Sequence, residues 1–244
     1  MSNTVANKPG APRRAVVTGA SVGIGLATAK ALVTHGFRVA LVARNRERLE
    51  DAARTCGGNA FAIPCDVGET ESVDRARVQI VKELGGAPDL VVNNAGQFRL
   101  ASVEHETAED LSSTLETNVV GAFRILKAFL PSMRAAGSGH VVTIGSIADH
   151  VAFPDNAAYA ASKYALRALH TVLREETRGS GVRATLISPG PVDTPLWDVI
   201  DPDARPGFTP RAKMLSASAV ANAVLWVATQ PAECNVDELH LSRS

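Results

Sequence analysis

The sequence predicts an α/β fold, a doubly wound, parallel, seven-stranded sheet with helices on both faces. Short apolar runs alternate with longer amphipathic stretches from Arg14 to the C-terminus, the pattern of successive βαβ units. Most of the runs are rich in apolar and β-branched residues, as strands covered on both faces are. Between them, apolar residues recur three and four apart, as along one face of a helix.

The first strand centres on Val16 and passes through a glycine-rich turn into a helix from about Gly23. The second strand centres on Val39, with a helix from about Arg46, and the third on Phe61, with a helix from about Glu69. The fourth centres on Val91, and the helix that follows from about Ala108 has Pro131 as its expected bend or break. The fifth centres on Val142, with a helix from Ala157, the sixth on Ala184, with a helix from Ser216, and the last on Leu239. Only Pro189 to about Leu215 escapes this alternation, and an irregular stretch of that length in a compact domain is usually functional. No repeat or composition shift marks a boundary, so residues 13–244 read as one domain behind a mobile tail, residues 1–12.

Composition narrows the class. With 45% hydrophobic and 20% charged residues the chain has a globular composition. Lys plus Arg equals Asp plus Glu at 25 each, which gives no field to attract nucleic acid or anionic lipid. No apolar run reaches membrane-spanning length and no secretory signal is evident, so a cytoplasmic protein with neither membrane nor nucleic-acid partner is expected. Cys56, Cys65 and Cys234 form no framework and no CxxC pair, and read as buried small residues in a reducing compartment. The histidines His35, His105, His140, His170 and His240 lack metal-ligand spacing, and no metal site is expected. His150, close after Ser146, is near enough in sequence to line a substrate cleft, but a structural role is at least as common for such a residue.

The segment Ala15-Val16-Val17-Thr18-Gly19-Ala20-Ser21-Val22-Gly23-Ile24-Gly25 leads from a strand into a helix. In it Gly19 permits a tight turn, Gly23 lets backbone approach a pyrophosphate, Gly25 allows helix-on-strand packing, and the helix N-terminus offers N–H groups to an anion. The expected phosphate cradle is Gly19, Ser21, Gly23, Ile24 and Gly25. Dinucleotide folds commonly place an acidic residue at the end of the second strand for the ribose hydroxyl. Here that place is Ala43, followed by Arg44, whose guanidinium suits a 2′-phosphate, so NADP(H) is expected over NAD(H).

Tyr159-Ala160-Ala161-Ser162-Lys163 places a phenol and an ammonium at i and i+4, on one helix face. A free phenol titrates too high to exchange protons readily at neutral pH, and a nearby ammonium stabilises phenolate. The fifth strand delivers Ser146 at its C-terminal end, where open α/β sheets bind ligands.

Together with Asn93-Asn94-Ala95-Gly96, Asn118 and Pro189-Gly190-Pro191-Val192-Asp193-Thr194, in that order, these motifs resemble the short-chain dehydrogenase/reductase family from about Arg14 to Leu241. The glycine spacing matches that family, and Val22 departs from the basic residue that many NADP-dependent members carry in the turn. The resemblance implies a Rossmann-like fold and an oxidoreductase acting between a carbonyl and an alcohol. It implies Tyr159 as acid and base, with Lys163 lowering its pKa and holding the nicotinamide ribose, Ser146 orienting the carbonyl, and Asn118 supporting a proton-relay water. It further implies cofactor contacts at Asp66 and Val67, at Asn93, Ala95 and Gly96, and at Val192 and Thr194. Asp66 has an alternative as a cap for the helix that follows. Gln97, Phe98, Arg99, Phe153, Trp197 and Phe208 fall in segments that border the substrate pocket in members of the family, and the irregular stretch from about 191 to 215 is their substrate loop. Members assemble as homo-oligomers, tetramers or dimers, through the counterparts of 108–133 and 157–178. An NAD(H)-dependent alcohol dehydrogenase of the same family and a non-catalytic dinucleotide-binding sensor or scaffold are the alternatives.

Overall fold

In chain order the strands are β1 (Arg14–Thr18), β2 (Arg38–Ala43), β3 (Ala60–Pro64), β4 (Leu90–Asn93), β5 (Gly139–Ile144), β6 (Val182–Pro189), β7 (Val192–Asp193), β8 (Leu215–Ser216) and β9 (Glu238–Leu241). Seven of them form one sheet in the order β3-β2-β1-β4-β5-β6-β9, with every neighbouring pair parallel. The expected doubly wound parallel sheet is present, and each expected strand centre falls inside its strand. The computed structural model describes residues 13–244. The expected mobile tail, residues 1–12, lies outside the described residues.

Seven α-helices connect the strands among the described residues: α1 (Gly23–Thr34), α2 (Arg46–Cys56), α3 (Thr70–Leu84), α4 (Ala108–Leu115), α5 (Gly121–Ala136), α6 (Ala157–Thr177) and α7 (Ala217–Ala228). They lie on both faces because successive strand residues point to opposite sides. Val17, Val39, Leu41 and Val92 pack on one side with Leu32 of α1 and Val220, Val224 and Val227 of α7. Val16, Ala40, Val42 and Val91 pack on the other with Ile80 of α3, Ile125 and Phe129 of α5, and Leu173 of α6. Burial on both sides explains why the strands read as apolar runs; each buried Val or Leu contributes roughly 1.5–3 kcal/mol.

Two expectations need correction. The helix after β4 does not break at Pro131. Its interruption is a single π turn at Glu116–Val120, between α4 and α5. Pro131 sits within α5 on the exposed face, so the carbonyl it leaves unbonded, that of Lys127, is open to water. The irregular stretch after β6 is also more ordered than its sequence suggests. It contains three short 3-10 turns and is closed at its base by the parallel pair β7–β8, which joins Val192 to Leu215 and Asp193 to Ser216.

The sheet order reverses on either side of β1, where β4 lies beside it. The chains leaving the C-terminal ends of β1 and β4 diverge there, and such a crevice is where open α/β sheets bind ligands. No helix among the described residues is long and apolar enough to cross a membrane.

Candidate active site

Thr18 closes β1, and its hydroxyl accepts from the main-chain N–H groups of Asn94 and Ala95, both at 3.0 Å, while donating to the Val92 carbonyl. Asn94 Nδ2 reaches back to the carbonyls of Thr18, at 2.9 Å, and Gly19, at 3.3 Å. These bonds lock the glycine turn after β1 to the loop after β4. Gly19 takes a left-handed φ of 62°, and a β-carbon on Gly25 would lie 2.3 Å from the Gly19 carbonyl oxygen. The turn is therefore sterically reserved for glycine at the point where α1 begins. Helix α1 follows its N-cap position, Val22, without a side-chain cap, so no capping side chain takes up its first N–H groups. Thr194 packs its methyl group against Gly23, and Ser21 and Ile24 are half-buried on the same turn.

The other sites expected for a nucleotide are distributed around this turn. Arg44 follows the last residue of β2 and is exposed, and among the described residues its guanidinium has no ion-pair partner. Ala20 donates to the carbonyl of Val42, which brings the end of β2 against the turn. Asp66 Oδ1 accepts from Gly68 N at 2.9 Å, and the N-cap position of α3 is Glu69, so Asp66 closes the turn before the helix instead of capping it. Val67 and Asn93 are buried, with Val67 against Gly121 and Asn93 Nδ2 near the Ala122 carbonyl, and Asn93 Oδ1 has no partner. Gly96 lies beside the side chain of Asn118. The Val192 carbonyl accepts from the Trp197 indole at 3.0 Å.

Asn118 sits in the π turn, fully buried, with both ends of its amide engaged. Its oxygen accepts from Gln97 N at 2.8 Å, and its nitrogen donates to the Gln97 carbonyl at 3.0 Å and to Ser162 Oγ at 2.9 Å. Ser162 in turn donates to the carbonyl of Tyr159 at 2.7 Å. The wide turn thus ties the loop after β4 to the helix that carries Tyr159 and Lys163, and a π turn inside a helix commonly marks a functional position.

Tyr159 and Lys163 face the end of β5. Lys163 Nζ donates to the Ile144 carbonyl at 2.9 Å and stands 5.6 Å from the Tyr159 ring centroid. Burial pulls the Lys163 ammonium down to about 8, opposed by the charge of Asp149. Burial pushes the Tyr159 phenol up to about 12, with a hydrogen bond to Ser146 working the other way and Asp149 adding to the rise. Desolvation outweighs the hydrogen bond to Ser146 in setting the phenol, and Lys163 Nζ is engaged by the Ile144 carbonyl. Ser146 Oγ accepts from Ala148 N at 3.1 Å and is half-buried at the strand end.

A cavity of about 530 Å³ opens beside these residues, lined among others by Gln97, Phe98, Arg99, Leu196, Ile200 and Arg205. Phe98 meets Tyr159 edge-on at 4.7 Å and Trp197 at 5.1 Å, and Trp197 meets Phe208 at 6.4 Å. Phe153, by contrast, is exposed and joins no such contact among the described residues.

Sequence reasoning missed Asp149, which is fully buried, and dismissed His240 as dispersed. In the structure His150 and His240 meet edge-on at 4.7 Å, His150 Nδ1 lies 2.6 Å from Asp149, and His240 Nε2 lies 3.0 Å from Glu238. The tertiary fold joins β9 to the turn after β5, a proximity that no local spacing reports. The Ser-x-x-Asp pattern of a capping box was the available signal for Asp149. Of the cysteines, Cys65 is buried and Cys56 partly so, whereas Cys234 is exposed, on the irregular turn between α7 and β9. No group of three or more metal-ligating side chains exists among the described residues.

Comparison with known proteins places this geometry among relatives. Residues 13–205 match the family model described as short chain dehydrogenase. An uncharacterized oxidoreductase of Staphylococcus haemolyticus is 37% identical over 228 residues, covering 93% of this chain and 95% of the relative. An alcohol dehydrogenase from the archaeon Thermococcus sibiricus, solved in complex with 5-hydroxy-NADP, is 34% identical with a TM-score of 0.84, covering 94% of this chain and 95% of that one. A serine dehydrogenase solved in a closed form with NADP+ is 27% identical with a TM-score of 0.86, covering 93% of this chain and 94% of that one.

Proposed function

This chain belongs to the short-chain dehydrogenase family, and as an oxidoreductase of that family we propose that it interconverts a carbonyl and the corresponding alcohol of a small organic substrate. We assign NADP(H) as its cofactor and Tyr159 as its acid and base. The observation that carries the reading is the convergence of Asn118, Ser146, Tyr159 and Lys163 beside the glycine turn, at the C-terminal edge of the sheet.

The turn suits a dinucleotide on two counts. Gly25 is buried and lets α1 begin tight against the Gly19 carbonyl, where any side chain would collide, and the uncapped start of α1 suits a pyrophosphate. Gly19, Ser21, Gly23, Ile24 and Gly25 would cradle the phosphates, with Asp66, Val67, Asn93, Ala95 and Gly96 on the adenosine side and Val192 and Thr194 at the nicotinamide. A cation at Arg44, with no carboxylate at the end of β2, favours a 2′-phosphate. The NADP-bound relatives support the same choice.

When bound, the nicotinamide supplies or accepts the hydride. In reduction the carbonyl carbon gains that hydride and the oxygen gains a proton. Ser146 and Tyr159 aim hydroxyl groups at the oxygen as negative charge develops on it. Tyr159 gives up its proton, and the adjacent Lys163 ammonium offsets the phenolate that results. In oxidation the phenolate takes the proton back. The aromatic edge of Phe98 and Trp197 shapes an apolar approach to this centre. Exposed Phe123 on α5 and Tyr164 and Val172 on α6 support a homo-oligomer, with 13–244 acting as one unit.

Titration with NADPH and NADH under matched conditions, followed by nicotinamide fluorescence, tests the cofactor, and turnover of a carbonyl panel tests the chemistry. NADPH binds more tightly, and Arg44→Ala weakens it by about tenfold to a hundredfold while leaving NADH unchanged. Tyr159→Phe lowers kcat by about a hundredfold or more. Equal affinity for both nucleotides would remove Arg44 from the site, and full turnover in Tyr159→Phe would sink the mechanism.

A further inference from the structure

The carboxylate of Asp149 is fully buried, yet it takes no part in the hydride and proton transfers. It is surrounded by donors from three segments, and a fourth backs those donors. Within its own turn, Ser146 N donates to Oδ2 at 3.2 Å and His150 Nδ1 lies 2.6 Å from Oδ1. From α6, Arg167 Nη1 reaches Oδ1 at 3.4 Å, and Tyr159 and Lys163 sit on the same helix within range of its charge. From β6, Ser188 Oγ donates to Oδ2 in a short hydrogen bond. From β9, Glu238 pairs with Arg167, and His240 lies against both Glu238 and His150.

The strand end is shaped around this group. A β-carbon on Gly145 would stand 2.4 Å from Asp149 Oδ2 and 2.7 Å from Ser188 Oγ, so the carboxylate occupies the space that glycine vacates. Ser146 is bound at its main chain by Asp149, while Lys163 is bound to the Ile144 carbonyl just upstream. One buried anion therefore touches the turn that presents Ser146 and faces the two ionisable side chains of the site.

We propose that Asp149 is a positioning residue for the hydride-transfer centre, clamping the Ser146 turn and supplying the negative charge that balances Lys163 and faces Tyr159. The inference rests on the catalytic reading above. Its electrostatic part follows from proximity in a desolvated setting, where a fixed anion favours the protonated form of both neighbours. Its structural part follows from the Ser146 N–H, which would otherwise lack this acceptor.

The experiment compares Asp149→Asn and Arg167→Gln with the unaltered chain. Both are read by thermal midpoint, by the pH profile of NADPH-dependent carbonyl reduction, and by phenolate absorbance. The chain has two tyrosines, so a Tyr164→Phe background makes the absorbance report Tyr159 alone. In Asp149→Asn the phenol midpoint and the basic limb of the pH profile both move about one unit lower, and kcat falls about tenfold or more with little change in KM. Arg167→Gln, which removes a cation from the carboxylate, moves both the other way. A lowered thermal midpoint with an unmoved limb and unmoved phenol would reduce Asp149 to a structural cap and overturn the proposal. If Asp149→Asn does not fold, an unmoved limb and phenol in Arg167→Gln overturn it equally. Failure of the catalytic reading is distinguishable, because it appears as full turnover in Tyr159→Phe whatever Asp149 does.

Discussion

Replacing Gly25 by alanine would drive a methyl group into the Gly19 carbonyl and against Asn94 Nδ2, which itself bonds the carbonyls of Thr18 and Gly19. Neither neighbour is a free side-chain end that can swing aside, so the turn must open. Overpacking of this kind costs about 1–3 kcal/mol. Gly25→Ala is expected to lower the thermal midpoint measurably and to abolish NADPH binding in the fluorescence titration. Retention of both would mean that the turn has slack that the structure does not show. At this scale the glycine pattern and the Tyr-x-x-x-Lys spacing were legible because each is a local relation, fixed by one turn or one helical repeat. Asn94 was legible as a residue but not as the clamp it forms, since its partners lie at the end of β1 and just after it.

At the scale of elements, the segment between β7 and β8 is held by Arg211 together with Arg243, which donates to the carbonyls of Ala212 and Met214. Arg211 bonds Asp193 at 2.9 Å and also Asp198, and its main-chain N–H donates to Asp203 at 2.9 Å. It thereby ties the 3-10 turns to the base of the loop that carries Leu196, Val199 and Ile200 over the cavity. Arg211→Ala is expected to raise KM for the carbonyl substrate severalfold, to speed limited proteolysis between residues 198 and 210, and to leave the thermal midpoint nearly unchanged. High salt should mimic it in part, because exposed ion pairs are screened. An unchanged proteolysis rate would show that the β7–β8 pair suffices. The sequence marked this stretch as an irregular substrate loop but not as an ordered one, because its order comes from charges spread over its length rather than from periodicity. The π turn at Asn118 was invisible for a related reason: its widened geometry follows from where Asn118 must reach, to Gln97 and Ser162.

The molecule as a whole buries two histidines in its core. His140 on β5 bonds Thr185, and His170 on α6 bonds Thr143, each leaving its second ring nitrogen without a partner. Burial is the main reason that His140 is pulled down to about 3 and His170 to about 4. Both stay neutral in the folded chain at a pH where the unfolded chain binds protons, so their contribution to stability is present above pH 6.5 and is lost as pH falls towards those values. Each steepens the fall by up to about 1.4 kcal/mol per pH unit. Thermal midpoints measured from pH 7 to pH 4 should drop, and His170→Gln should flatten the curve. An equally steep curve in that variant would shift the acid lability to carboxylates.

From its sequence alone the chain declared its α/β class, all seven strands of the main sheet, the glycine turn and the tyrosine–lysine pair. Periodicity, turn chemistry and i,i+4 spacing act over a few residues and are written directly in the order of side chains. The strand order that sets β4 beside β1, the π turn that seats Asn118, and the meeting of Asp149, Arg167, Ser188 and Glu238 were decided only by the tertiary structure. These join segments far apart in the chain, and their contacts exist only once burial has drawn both faces of the sheet into packed cores.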